Sequence, residues 1–151
     1  MNILLYSSLR KDYGIQSKKV RKACECVLQE LHAPENTGIS LHLVGNRTIT
    51  RLNGIYRGKN VPTDVLSFAI DDGEIFFKTE EKGDIFISIP QIKKQAKEYK
   101  VDFEEELYKM MVHGILHLFG YDHIKESDAK KMIPLQEKIL KKIYVKKRIK
   151  K

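Results

Sequence analysis

At 151 residues, 42% of them hydrophobic and 32% charged, the chain is long enough to bury one core and too short for two comfortable ones, so one globular domain over residues 1–151 is expected. The apolar run in MNILLYSSLR is far too short for a signal peptide and no stretch approaches ~18 apolar residues, which speaks against secretion and membrane contact and for a cytoplasmic location. The net charge of +8 is local: eight of the 28 basic residues lie in the acid-free tail 138–151, and the other 20 balance the 20 acids, so the tail reads either as a solvated helix end or as a polyanion contact.

Ile3 to Tyr6 suit a first strand, followed by a polar turn around Lys11 to Gly14. From Ile15 onward Val20, Ala23, Cys24, Val27, Leu28 and Leu31 recur at helical spacing, with Lys18, Lys19, Arg21 and Lys22 opposite, which predicts an amphipathic helix stopped by Pro34. Cys24 and Cys26, two apart on that helix, point to opposite sides; they cannot chelate one ion together or bridge, and they read as free thiols suited to a reducing compartment. Ile39, Leu41 and Leu43 alternate with Ser40 and His42 as in a half-buried strand, with His42 on its surface. Asn46 is the expected N-cap of a second helix carrying Ile49, Leu52 and Tyr56 on one face and ended by Gly58.

A loop holding Arg57 and Lys59 leads into a strand from Val65 to Ile70, and the polar stretch Asp71 to Lys82 reads as a flexible excursion or a weak hairpin. Ile85, Ile87 and Ile89 alternate with Asp84, Phe86 and Ser88 in a fourth strand. Ser88 and Gln91, around Pro90, have the spacing of a capping box for a third helix that buries Ile92, Ala96 and Tyr99. Asp102 and Glu105 repeat the device for a fourth helix, acids at 104 to 106 suit its positive end, and Leu107 to Phe119 is apolar nearly all round, so this helix should be central. A last helix carries Leu135, Ile139 and Ile143, with its regular part expected to start near Pro134. The order β, α, β, α, β, β, α, α, α implies an α+β fold, a small mixed four-stranded sheet packed with helices, whose strand order is not readable.

The run HGILHLFGYDH gathers three of the five histidines. His113 and His117, four apart on a helix, project from one face, and Gly120 can reverse the chain so that Tyr121 and Asp122 bring His123 back toward them. Three imidazoles with a fourth position open to water or substrate are the catalytic zinc pattern, although nickel, copper or another divalent transition metal also suits such nitrogens. The competing reading makes His113 and His117 satisfied polar positions on a buried helix. The spacing HxxxHxxGxxH matches the metzincin protease signature, but Gly114 stands where those enzymes carry a general-base glutamate, which argues against a metallopeptidase.

LNGIYRGKNVPTDVLSF and HGILHLFGYDH, joined by KGDIFIS, together resemble the YbeY family of bacterial metal-dependent endoribonucleases over most of residues 40 to 125. The resemblance implies a metzincin-like zinc helix, zinc bound by His113, His117 and His123, and a functionally required arginine at Arg57. It further implies cleavage of single-stranded RNA in ribosomal RNA maturation and ribosome quality control, with protein partners left unspecified. Asn60 and Ala69 depart from the aspartate and proline common in the family, the first of them inside the Arg57 loop. Met132 falls near the family's methionine after the third histidine, where packing beneath the metal competes with simple core filling.

A zinc ion can polarise a phosphodiester oxygen or acidify a bound water, and Arg57 is the expected partner for charge that grows on the phosphate. Asp122 reads as a turn residue rather than a histidine orienter, Thr63 and Asp64 as local backbone acceptors, and Tyr121 either as a base-stacking or as a buried ring. The alternative from another class is a zinc-stabilised, non-catalytic RNA-binding assembly factor.

Overall fold

Strand-period alternation and helix-period stripes build nine elements in the computed structural model, which describes residues 1–70, 80–122 and 125–149, without the side chains of residues 80 and 145–149. In chain order they are β1 (Asn2–Ser7), α1 (Ser17–Glu30), β2 (Thr37–Val44), α2 (Asn46–Arg57), β3 (Val65–Ala69), β4 (Glu80–Ser88), α3 (Ile89–Tyr99), α4 (Phe103–Leu118) and α5 (Glu126–Ile149). The sheet is mixed and four-stranded, ordered β1-β2-β4-β3; β1, β2 and β4 are parallel and β3 is antiparallel to β4. The α+β expectation holds, and the strand order is new information.

One sheet face carries Ile3, Ile39, Leu41, Leu43, Ile85 and Ile87 into the main core, where they meet α1, α4 and α5. Helix α4 is central, as its all-round apolar sequence requires: it touches α1, α3, α5, β3 and β4, and buries Leu107, Met111, Val112, Ile115 and Leu116. In α1, Cys24 and Cys26 are both buried and free; Cys24 Sγ lies 3.4 Å from Met111 Sδ, and burial, then the Glu25 carboxylate, push its thiol up to about 12, so it stays protonated. The opposite sheet face is partly covered by α2 through Val44, Ile49 and Leu66. Beyond α2 on that face, His42 is half-buried rather than a plain surface residue. Its ring stacks between Tyr6 and Phe86 at centroid distances of 5.0 and 4.2 Å, and its Nε2 lies 2.8 Å from Asp84 Oδ1.

Several local expectations are corrected by tertiary contacts. Helix α1 ends at Glu30, not at Pro34: His32 takes the left-handed conformation at φ 55°, and Ala33 N–H donates to the Leu28 carbonyl, closing the helix before the proline. The N-cap of α2 is Gly45, not Asn46, whose Oδ1 instead accepts from Ser88 Oγ at 2.7 Å. Ser88 does occupy the N-cap of α3, as Asp102 does for α4, but neither side chain makes a capping bond, so the boxes mark position and not mechanism. Ile89 opens α3 rather than closing β4. Strand β4 begins at Glu80, inside the stretch read as an excursion, because β2 supplies partners to that polar segment: Thr37 pairs with Glu80 and Gly38 with Glu81, and Gly38 leaves room for the Glu81 carboxylate. The rest of that stretch, 71–79, lies outside the described residues.

Helix α5 runs through Pro134 instead of starting there. The ring deprives the Lys130 carbonyl of its helical donor, but Met132 on one side and Gln136, Ile139, Leu140 and Ile143 on the other are buried, so packing holds both turns in line.

At Gly114, α4 lies close against the sheet. A Cβ there would stand 2.9 Å from Ile85 Cγ2, 3.2 Å from Ser67 Oγ and 3.3 Å from Val65 Cγ2. Gly114→Ala gains about 1 kcal/mol of helix propensity, but overpacking typically costs about 1–3 kcal/mol and three neighbours must move at once. A net loss of about 1 kcal/mol is expected, seen as a lower urea midpoint at unchanged m-value; a midpoint at or above wild type would show that the sheet yields freely.

Candidate active site

The helical period places His113 and His117 one turn apart on α4, both half-buried, with Nε2 atoms 3.0 Å apart and ring planes at 77°. Gln136 of α5 fixes the first of them: its Oε1 lies 3.0 Å from His113 Nδ1. An amide oxygen only accepts, so Nδ1 carries the proton and Nε2 keeps its lone pair on the side facing His117. Two nitrogens bound to one tetrahedral zinc at ~2.05 Å stand about 3.3 Å apart, so this pair has close to the spacing, and His113 the tautomer, that a shared ion requires.

The third expected ligand, His123, lies outside the described residues. Gly120, at φ 90°, ends α4 as its sequence position requires; Gly120 N–H donates to the His117 carbonyl and Tyr121 N–H to the Leu116 carbonyl, turning the chain back. Among the described residues no group of three His, Cys, Asp or Glu side chains is placed to hold a metal ion.

Arg57 is exposed at the end of α2, where Gly58 at φ 70° closes the helix. Its Nη2 donates to the Ser67 carbonyl at 3.2 Å, and its guanidinium lies 5.2 Å from the Phe68 ring centroid. The loop beyond is held by Asn53, whose Nδ2 donates to the Val61 carbonyl at 3.0 Å, and by Asn60, which lies directly over Gly54 where any Cβ would strike its Oδ1. Asn60, the departure from the family pattern, therefore packs against the helix that carries Arg57.

Ser67 joins the two halves. Its carbonyl holds Arg57, and its hydroxyl donates to the Gly114 carbonyl at 3.0 Å, one residue after His113. The close approach at Gly114 also disfavours a glutamate there, because even a Cβ would force Ile85, Ser67 and Val65 to shift and a longer side chain would have to displace them further.

Other expectations sort by contact. Asp64 Oδ1 accepts from Val65 N–H at 2.8 Å and lies 3.4 Å from Thr63 Oγ1, the local role read for both residues. Tyr121 packs half-buried against the main core, and Met132 is buried within it. Asp122 is half-buried in the coil after Gly120. Ser67 and Gln136 were not singled out from the sequence, yet each leaves a trace: a hydroxyl two residues from Val65 on the inward side of a strand, and an amide on the otherwise apolar Met132, Ile139, Ile143 stripe.

In chelator-treated protein at neutral to mildly alkaline pH, long-range ¹⁵N–¹H correlation is expected to find His113 protonated on Nδ1, the minor tautomer of free imidazole. Gln136→Leu is expected to return it to Nε2–H; an unchanged tautomer in that variant would mean that Gln136 does not orient the ring.

A family profile described as Endoribonuclease YbeY matches residues 8–144. Curated relatives carrying that name include one from Persephonella marina, 41% identical over 95% of this chain and 94% of its own length, and one from Lacticaseibacillus casei, 47% identical over 74% of this chain and 77% of its own. The solution structure of a Thermotoga maritima protein superposes with a TM-score of 0.66 at 27% identity, covering 98% of this chain and 93% of that one. No helix among the described residues is long and apolar enough to cross a membrane. The motif pair, the fold and the match across nearly the whole chain lead to one conclusion: this chain belongs to the endoribonuclease YbeY family.

Proposed function

We propose that this chain, as a member of an endoribonuclease family, cuts single-stranded RNA in the cytoplasm, acting on ribosomal RNA during its maturation and in ribosome quality control. One catalytic domain over residues 1–151 carries the reaction. A divalent transition metal, zinc by ligand chemistry, is held by His113, His117 and His123, and Arg57 binds the scissile phosphate. The observation that carries this reading is Ser67, which ties the Arg57 guanidinium and the α4 backbone beside His113 to one residue of an edge strand.

A zinc ion at the histidines supplies Lewis acidity toward a phosphodiester oxygen. The chain's own groups do the rest. Gln136 keeps the His113 proton on Nδ1, so that Nε2 is available as a donor. Ser67 and the Phe68 ring hold the Arg57 guanidinium from one side, which leaves further N–H donors for the oxygens of a phosphate whose charge rises as the bond breaks. Exposed Tyr56, edge-on to Phe68 at 5.0 Å, offers a ring face beside that arginine on which an unpaired base can stack. Lys146, Lys147, Arg148, Lys150 and Lys151 add positive charge for the RNA backbone.

Three measurements test the parts separately. Protein purified without chelator is expected to carry one equivalent of metal, and His117→Ala to lose most of it; full occupancy in the variant would remove His117 from the site. Truncation after Val145 deletes five basic residues and is expected to flatten the slope of log affinity against log salt by about 0.7 for each phosphate that is no longer neutralised. Arg57→Ala, at matched metal content and unchanged fold, is expected to lower kcat and kcat/KM together by about 10²- to 10³-fold in single-turnover cleavage of a single-stranded RNA, with Arg57→Lys a poor rescue because a point charge lacks the planar fork. Wild-type cleavage by Arg57→Ala would strike the arginine from the mechanism.

A further inference from the structure

The part of the outer sheet face that α2 leaves open carries a stack of rings. In register across β1, β2 and β4, Tyr6 stands opposite His42, and His42 opposite Phe86. The three rings are nearly parallel, with interplanar angles of 14° and 8°. Asp84, two residues from Phe86 on the same face of β4, accepts from His42 Nε2 and fixes the middle ring. Cross-strand ring pairs stabilise a sheet, which accounts for His42 between its two neighbours. Tyr6 is different. It sits on an edge strand, its ring is 50% exposed, and among the described residues no second ring and no cation lies over it. The stack ends on a bare aromatic face.

Its other end leads to Arg57. Phe86 meets Phe68 edge-on at 5.8 Å, and the Arg57 guanidinium lies 5.2 Å from the Phe68 centroid. The rings thus form a continuous row from the arginine at the β3 edge to the open face at the β1 edge, three strand spacings or about 14 Å across. At about 3.4 Å per stacked nucleotide, that width matches about four nucleotides of a single strand.

We infer that the outer face of Tyr6 is a stacking site for an unpaired base of an RNA strand whose phosphate is held at Arg57, with the strand crossing the open sheet face between them. The inference rests on the reading of Arg57 as the phosphate contact. A parallel stack of planar rings is extended by another planar ring, and every base carries such a face whatever its identity. The contact therefore holds the strand without reading its sequence, and His42, locked by Asp84 against Phe86, keeps the Tyr6 ring upright before any base arrives.

The test is an NMR titration of the full-length, zinc-loaded chain, following the Tyr6 ring protons and the Arg57 amide. The probes are an unstructured 2′-O-methyl octaribonucleotide, checked for integrity afterwards, an abasic octamer with the same phosphates, and AMP. Saturable ring-current shifts at Tyr6 are expected with the base-bearing octamer and not with the abasic one. Tyr6→Leu is expected to weaken binding of the octamer by about five- to hundredfold, and Tyr6→Phe to restore it, since the ring and not the hydroxyl makes the contact. Octamer binding that shifts Arg57 but leaves the Tyr6 ring unmoved, or that Tyr6→Leu does not weaken, overturns this inference and leaves the reading of Arg57 standing. An equal response to the abasic octamer, or AMP bound as tightly as the octamer, also overturns it, because the strand's bases would then not be what Tyr6 holds. No binding of the octamer at all overturns both. Should Tyr6→Leu fail to fold, the shifts of the wild-type ring decide.

Discussion

The contact between α4 and the sheet at Gly114 is the constraint on which the site depends. Because residue 114 has no side chain, the helix backbone comes within reach of Ser67, Val65 and Ile85, and the Gly114 carbonyl, nominally part of the helix ladder, accepts from a serine of the neighbouring strand. This contact sets the height of His113 above the edge of the sheet. It also sets the position of Arg57, since the same serine presents its carbonyl to the guanidinium. A larger residue would move the two halves of the site apart and loosen the core together, because Ile85 is both a contact of Gly114 and a fully buried member of that core.

A second constraint acts from the other side of α4. Helix α5 crosses Pro134 and still delivers Gln136 to His113, so the two turns flanking the proline are held by what they bury. Packing on this scale outweighs a missing helical hydrogen bond, since several buried apolar side chains contribute about 1.5–3 kcal/mol each against about 3 kcal/mol for an interior proline. His113 is thus held from two directions: the sheet fixes the backbone and α5 fixes the ring. A histidine oriented by an amide oxygen has its tautomer chosen before any ligand arrives, which lowers the reorganisation needed on binding. Arg57, by contrast, is exposed and held by one carbonyl and one ring, an arrangement that leaves further N–H donors to solvent.

The sequence by itself determined whatever depends on local spacing. The four-residue interval of His113 and His117 places both on one helical face, Gly58 and Gly120 end α2 and α4 because each must take a left-handed conformation, and the apolar run from Leu107 to Phe119 makes α4 central. The four strands and five helices were legible for the same reason, as was the family, whose two motifs are both contiguous. Tertiary structure decided everything that pairs residues distant in the chain. The order β1-β2-β4-β3 follows from packing choices that no local pattern encodes, and the polar Glu80 and Glu81 extend β4 where β2 offers them partners. Asn46 and Ser88 bond to each other across 42 residues instead of capping their own helices, and Gly114, Ser67 and Gln136 acquire their roles from neighbours 47 and 23 residues away. The physical reason is the same in each case: a side-chain donor or acceptor goes to whichever partner burial places within hydrogen-bond reach, and burial is a property of the whole fold.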